Sequence, residues 1–188
     1  MATLHTYITL LRGINVSGQK KIKMTDLKAL YEAVGHRDVQ TYIQSGNVVS
    51  RSETASPEKL TRAIEKAIEK RFGYPVTVLV RTTADLSKIV KRNPFLKDQS
   101  VDPSRLHVTF LADKVESSLS KAAADIDSAD DEFRVIGTEV FVHCPNGYGR
   151  TRLSNTFFES KLKQAATTRN WKTVNTLYEM GKNLESMK

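Results

Sequence analysis

Cysteine is nearly absent from this chain. Cys144 is the single one, which excludes an internal disulfide framework and any multi-cysteine metal site. Long apolar runs are missing too. Stretches such as Ile8-Thr9-Leu10-Leu11 fall far short of the roughly 20 residues that a membrane-spanning helix needs, so no membrane partner is expected. The first residues, Met1-Ala2-Thr3-Leu4-His5, lack the basic and long apolar regions of a signal peptide, and a cytoplasmic location is expected. The four histidines, His5, His36, His107 and His143, are scattered without H-E-x-x-H or other metal-ligand spacing, and no G-x-S-x-G elbow occurs. His143 and Cys144 are neighbours on a predicted strand and point to opposite faces, which argues against a Cys-His pair. No metal and no cofactor are expected. Low-complexity segments are also lacking.

What is present suits a globular protein. The 188 residues are 39% hydrophobic and 27% charged, enough for one mid-sized domain or two small ones with their own cores. The formal net charge is +8, and it is unevenly spread. Residues 113–134 hold seven acidic side chains against three basic ones, so the rest of the chain is more basic than the total suggests. A basic surface favours anionic partners such as nucleic acid, nucleotides or phosphorylated metabolites; it equally serves solubility alone.

Strand and helix signals alternate through the first half. Tyr7–Leu11 is a β-rich run stopping at Arg12-Gly13, and Met24, Leu27, Leu30, Tyr31 and Val34 share one helical face that ends at Gly35. Val39–Ile43 and Val48-Val49 read as strands joined by the turn Gln44-Ser45-Gly46-Asn47. Ser56-Pro57-Glu58 reads as N-cap, N1 proline and first-turn acid of a helix carrying Leu60, Ile64 and Ile68 and closing at Gly73. A strand at 76–80 completes β-α-β-β-α-β, the ferredoxin-like order.

The second half repeats this grammar less cleanly. It shows a helix with Leu86, Ile89 and Val90 ended by Asn93-Pro94, a strand at 106–111, a helix at 119–126, a hairpin around Gly137-Thr138, and helices near 154–164 and 171–185. An echo between Leu11-Arg12 with Thr25-Asp26-Leu27 and Val80-Arg81 with Ala84-Asp85-Leu86 suggests duplication. The expected fold class is α+β: a ferredoxin-like half over 1–82 and a second, irregular one over 83–188 whose C-terminal helices pack across both.

Three polar knots stand out as candidate ligand-binding groups. The first is Arg12 with Asn15, at the end of the first strand. The loop behind them, Gly13 to Lys20, is no Walker A motif, because Gln19 takes the lysine position and the helix starts only near Met24. The second is the turn bearing Gln44, Ser45 and Asn47. The third is Thr167-Thr168-Arg169-Asn170, with Asn170 as N-cap of a helix opening at Trp171; free N–H groups and the dipole make such a start attractive to anions. Each knot also has a plain structural reading, as turn chemistry, an ion pair or a helix cap. Lys20 and Lys21, and a loop with Tyr148, Arg150 and Arg152, are candidate phosphate or base contacts. A basic-aromatic RNP1 pattern is missing, which argues against an RNA-recognition domain.

The runs Leu10-Leu11-Arg12-Gly13-Ile14-Asn15, Thr41-Tyr42-Ile43-Gln44-Ser45-Gly46-Asn47-Val48, Asn93-Pro94-Phe95 and Thr167-Thr168-Arg169-Asn170-Trp171, with Met24, carry a resemblance. They are similar to the bacterial family called domain of unknown function 1697, over nearly the whole chain from about Tyr7 to Met180. The resemblance implies a cytoplasmic bacterial protein of two related ferredoxin-like halves, with no established activity, substrate or cofactor. The family's polar positions fall on Arg12, Asn15, Gln44, Ser45, Asn47, Thr168, Arg169 and Asn170. Thr151-Arg152-Leu153 stands where a Ser-Lys-Leu pattern is expected, a mild chemical departure.

Three functions remain open. One is binding of an anionic ligand, nucleic acid or nucleotide, by the polar knots. Another is an enzyme acting on a phosphorylated or carboxylated small molecule, with Arg12 and Arg169 clamping the anion and Ser45 or Thr168 reacting; no general base is visible for it. In the third, the knots serve folding and dimerisation only. On the first two readings the knots are expected to converge, with Ser45 within about 10–12 Å of Arg169, a span taken from ordinary pocket sizes. The acidic segment 113–134 is expected to lie away from them.

Overall fold

The computed structural model describes residues 3–116 and 130–187. The chain divides into two compact units, residues 1–87 with 176–188, and residues 88–175. The chain from Thr176 onward groups with the first unit.

In the first unit the elements run β1 (His5–Leu11), α1 (Met24–Ala33), β2 (Arg37–Tyr42), β3 (Asn47–Ser52), α2 (Pro57–Phe72) and β4 (Val78–Thr82). The four strands form an antiparallel sheet in the order β2-β3-β1-β4, the ferredoxin-like arrangement. Tyr7, Leu11, Val48 and Val78 pack beneath Leu27, Leu30 and Tyr31 of α1 and Leu60, Ile64 and Ile68 of α2. Full burial of the last three, at i, i+4 and i+8, contributes about 1.5–3 kcal/mol each. The ends of α2 are set as its sequence predicts. The Ser56 hydroxyl accepts from the Lys59 N–H at 3.3 Å, Pro57 opens the helix, and Gly73 closes it with φ 82°.

Strand β1 is an apolar run rather than an alternating one because both of its faces are covered. Ile8 turns away from the two helices toward the C-terminal helix α5 (Trp171–Ser186). There a Cβ on Gly181 would come within 3.3 Å of Ile8 Cδ1 and 2.8 Å of Thr83 Oγ1, so a larger residue would force Thr83 to shift.

The second unit holds β5 (Leu106–Leu111), β6 (Glu132–Ile136), β7 (Glu139–His143), α4 (Asn155–Leu162) and β8 (Ala166–Asn170), while α3 (Thr83–Arg92) leads into it. Its antiparallel sheet has the order β6-β7-β5-β8, the same topology as the first. Leu111, Val140, Val142, Phe158 and Leu162 form its core. The two halves thus share one topology, which equates β1 with β5 and β4 with β8. The echo between Leu11-Arg12 and Val80-Arg81 does not mark it: β4 is the edge strand antiparallel to β1, not the start of a new half. The helix expected at 119–126 lies outside the described residues, as does most of the acidic segment.

Ala166–Asn170 corrects a second expectation. Read from sequence as a polar knot at a helix start, it forms strand β8, whose residues Thr168 and Arg169 register against Thr109 and Val108 of β5. Its polar composition hides the strand, although two of its five positions are β-branched threonines. Among the described residues, no helix is long and apolar enough to cross a membrane.

Candidate binding groove of the first unit

The first two polar knots meet. At the end of β1 the Leu11 N–H donates to the Gly46 carbonyl at 2.8 Å, and the Arg12 N–H to the Thr77 carbonyl at 2.9 Å. From there the chain curls through Gly13, Asn15, Ser17, Gly18 and Lys20, all with left-handed φ between 45° and 75°. The Asn15 amide holds this curl shut. Its Nδ2 donates to the carbonyls of Ile22 (2.9 Å) and Gln44 (2.8 Å), and its Oδ1 accepts from the Ile22 N–H at 2.9 Å. The loop is clamped from both ends, and the clamp lands on the 43–46 turn.

That turn is equally committed. Gly46 takes φ 78°, and a Cβ there would stand 2.7 Å from Leu11 Cβ and 2.8 Å from Ile14 Cδ1, so any side chain would push the turn off β1. Buried Asn47 donates to the Tyr42 carbonyl and to the Ser45 hydroxyl, both at 2.9 Å. Asn15, Ser45 and Asn47 thus build the rim through hydrogen bonds within the protein, and Gln44 stands exposed upon it.

Behind the rim lies an open groove of about 690 Å³, lined by Asn15, Gly18, Lys21, Ile22, Lys23, Met24, Thr25, Asp26, Gln44 and Phe72. Lys23 occupies the N-cap position of α1, and its side chain makes no capping bond. The positive end of α1 therefore opens onto the groove beside the exposed ammonium groups of Lys21 and Lys23 and the Thr25 hydroxyl. The single carboxylate of the lining, Asp26, is 3.8 Å from the Arg71 guanidinium, which offsets its charge. Phe72, the last residue of α2, supplies an aromatic wall; Arg71 lies over its ring at 5.8 Å and Tyr74 stacks beyond it at 6.4 Å. Such a groove can hold a phosphate or carboxylate at its lysine end and a flat, apolar group against Phe72.

Of the residues singled out from sequence, Asn15, Lys21 and Gln44 line this groove. Lys20 does not: its Nζ donates to the Pro75 carbonyl at 2.7 Å on the other side of the loop. Lys23, Thr25, Asp26 and Phe72 are additions from the structure. A lysine where a helix should be capped, just before Met24, is the sequence signal that marks the first three; nothing in the sequence marks Phe72.

The third knot belongs to the second unit, and strand alternation splits it. Thr168 and Arg169 point to opposite faces of β8. The Thr168 hydroxyl joins the Thr109 hydroxyl and Asn155 Oδ1, both at 2.7 Å. Arg169 is 7% exposed; it donates to Thr167 Oγ1 at 2.8 Å and the Thr168 carbonyl at 2.9 Å, and burial pushes its pKa down to about 10. Asn170 caps α5 as expected, its Oδ1 accepting from the Thr173 N–H at 2.8 Å.

The loop with Tyr148 is also engaged. The Tyr148 ring stacks on His107 at 4.5 Å, and its hydroxyl, hydrogen-bonded to Thr168, is raised in pKa by burial. Arg150 and Arg152 are exposed. The described end of the acidic segment reaches this loop: Asn146 donates to Asp130 and Thr151 to Asp131. Two carboxylates there weaken its field for an anion. Neighbouring Cys144 is buried, and burial pushes its thiol up to about 11, away from the reactive thiolate.

A family described as "Protein of unknown function (DUF1697)" matches residues 4–141. No curated protein matches the chain. Among solved structures, the conserved bacterial protein SP0830 from Streptococcus pneumoniae is similar with a TM-score of 0.77 and 21% identity, over 96% of this chain and 99% of that one. At that identity the likeness bears on the fold alone.

Proposed function

The chain belongs to the DUF1697 family of proteins of unknown function, which passes on no activity, and we propose from its own geometry that it binds an anionic ligand of the nucleotide class in the groove beside α1. One observation carries this reading: a single concave surface pairs Lys21, Lys23 and the open N-terminus of α1 with the ring of Phe72. A phosphate is attracted to the first and a base to the second. The groove's volume is within the usual range for small-molecule sites. Asn15 and Gln44 shape its rim, and the Gln44 amide is placed to read polar edges of a base. Of the three knots, the first two contribute to this reading as the frame of the groove.

Calorimetric titration of thymidine 5′-monophosphate, with inorganic phosphate alongside it, tests the proposal. The expected result is saturable, salt-sensitive binding at low ionic strength, tighter for the nucleotide than for phosphate. Lys21→Ala with Lys23→Ala should weaken it about tenfold or more, the scale of lost charge-assisted hydrogen bonds. Binding that ignores both substitutions overturns the assignment to this groove.

A further inference from the structure

A second groove, of about 440 Å³, lies on the same unit and is lined by Lys20, Arg62, Glu65, Lys66, Glu69 and Pro75–Thr77. Lys20 and Lys21 are consecutive, yet one lines each groove. The ridge between the grooves is therefore the loop itself, fixed from below by two bonds. Lys20 Nζ donates to the Pro75 carbonyl at 2.7 Å, and Tyr74 Oη donates to the Lys21 carbonyl at 3.0 Å. The Phe72 and Tyr74 rings, only 25° from parallel, sit at this ridge, Phe72 on the first groove's wall.

The second groove has its own cations. Arg62 and Lys66 are exposed and spaced i, i+4, so they share one face of α2 opposite Lys20. Of its two carboxylates, Glu65 is tied down, since its Oε1 accepts from the Val78 N–H at 2.9 Å. Three cations thus face the groove against two carboxylates, Glu65 and Glu69, which leaves it net positive. A mononucleotide bound as proposed above fills one groove and leaves this one idle.

We infer that the two grooves are consecutive stations on one track for single-stranded nucleic acid, with the ridge at Lys20, Lys21 and Tyr74 between them. The inference rests on the proposed reading of the first groove and extends it from a nucleotide to a chain of them. Concave stations separated by a ridge suit a strand that sets a splayed base against Phe72 in the first groove and lays its phosphates along Lys20, Arg62 and Lys66 in the second. A duplex keeps its bases stacked inside and presents a stiff backbone that cannot enter two pockets in succession.

The test compares thymidine 5′-monophosphate with oligothymidylates of 2 to 12 nucleotides, and with a 12-base-pair duplex, by calorimetry and fluorescence anisotropy at several salt concentrations. Affinity should rise at least tenfold from the monomer to a plateau within about 4–16 nucleotides, the site size of compact single-strand binders. The duplex should bind more weakly than the 12-mer. Arg62→Ala with Lys66→Ala, both on the exposed face of α2, should weaken the 12-mer about tenfold and leave the monomer unchanged. It should also reduce the slope of log K against log salt by about 1.4, two phosphates' share for a single strand. Phe72→Leu keeps the side chain's bulk and should cost about fivefold or more on the 12-mer through lost stacking. Equal affinity for monomer and 12-mer, tighter binding of duplex, or a 12-mer indifferent to Arg62→Ala with Lys66→Ala refutes the track while the single-groove reading stands. Absence of binding by monomer and 12-mer alike at low salt removes both.

Discussion

His36 offers the sharpest quantitative handle on the first unit. It follows α1 and is only 6% exposed. Its Nδ1 is hydrogen-bonded to the Ser50 hydroxyl at 2.8 Å, and its ring meets Tyr31 edge-on at 5.0 Å. Tyr31 in turn shares a 2.7 Å bond with the Thr9 hydroxyl, so both rings are held in the buried layer under α1. Burial lowers its pKa from 6.5 to about 4. The unfolded chain therefore takes up the proton first. The stability that neutral His36 secures is complete above pH 6.5 and drains away as pH falls toward 4. With these two values the loss is about 1 kcal/mol at pH 5.5 and roughly 2–3 kcal/mol at pH 4.5. His36→Gln can keep a hydrogen bond to Ser50 but cannot titrate. Urea unfolding of both proteins at pH 7.5, 5.5 and 4.5 should show wild type losing ground to the variant by these amounts, and ring resonances of His36 should titrate near pH 4. A stability difference that stays flat across that range, or a ring titrating at 6.5, would falsify the argument.

Other outcomes follow from the geometry of the loops and caps. Gly46→Ala should destabilise by about 2 kcal/mol or more in denaturant titration, since it adds left-handed strain to a clash with Leu11 and Ile14. Asn15→Asp replaces a donor that serves two carbonyls with a group that repels them; a thermal melt should fall, and nucleotide binding should weaken with it. Ser56→Ala should cost about 1 kcal/mol of stability by uncapping α2 and leave the groove's binding intact. Asp26→Asn removes the one carboxylate of the groove lining and should tighten thymidine 5′-monophosphate binding in the calorimeter.

The first half of the fold was legible because local signals agreed with tertiary demand. Ser56-Pro57 and Gly73 bracket α2, and the spacing of Leu60, Ile64 and Ile68 names its buried face; both survive into the structure unchanged. In the second half the signals conflict. Ala166–Asn170 carries threonines, an arginine and an asparagine, which read as loop chemistry, yet β5 needs a neighbour on its open edge and the segment supplies it. Arg169 can be buried in that strand because its guanidinium finds Thr167 Oγ1 and the Thr168 carbonyl nearby, a compensation that no spacing rule exposes. The sequence echo pairs β1 with β4, which share an apolar-then-arginine ending, whereas the strands in equivalent sheet positions are β1 and β5.

The site shows a different kind of legibility. Polar residues in glycine-bearing turns attract notice, and here Asn15, Ser45, Gly46 and Asn47 are held in place by the backbone they organise. Groups able to meet a ligand have the opposite character: exposed lysines, a helix start without a cap, and an aromatic ring at a helix end, contributed by the loop, α1 and α2. No spacing connects Lys21 with Phe72; only the folding of α1 and α2 onto one sheet face does. The motif is what makes that meeting reproducible. Asn15 bonded to Gln44, and Gly46 set against Leu11, fix the height of the rim to within the tolerance of a hydrogen bond, so Lys21 is carried on a rigid loop rather than a floppy one. The conspicuous residues therefore act as scaffold for the proposed groove, and substitutions among them should change binding through its shape, with nucleotide affinity and loop stability falling together.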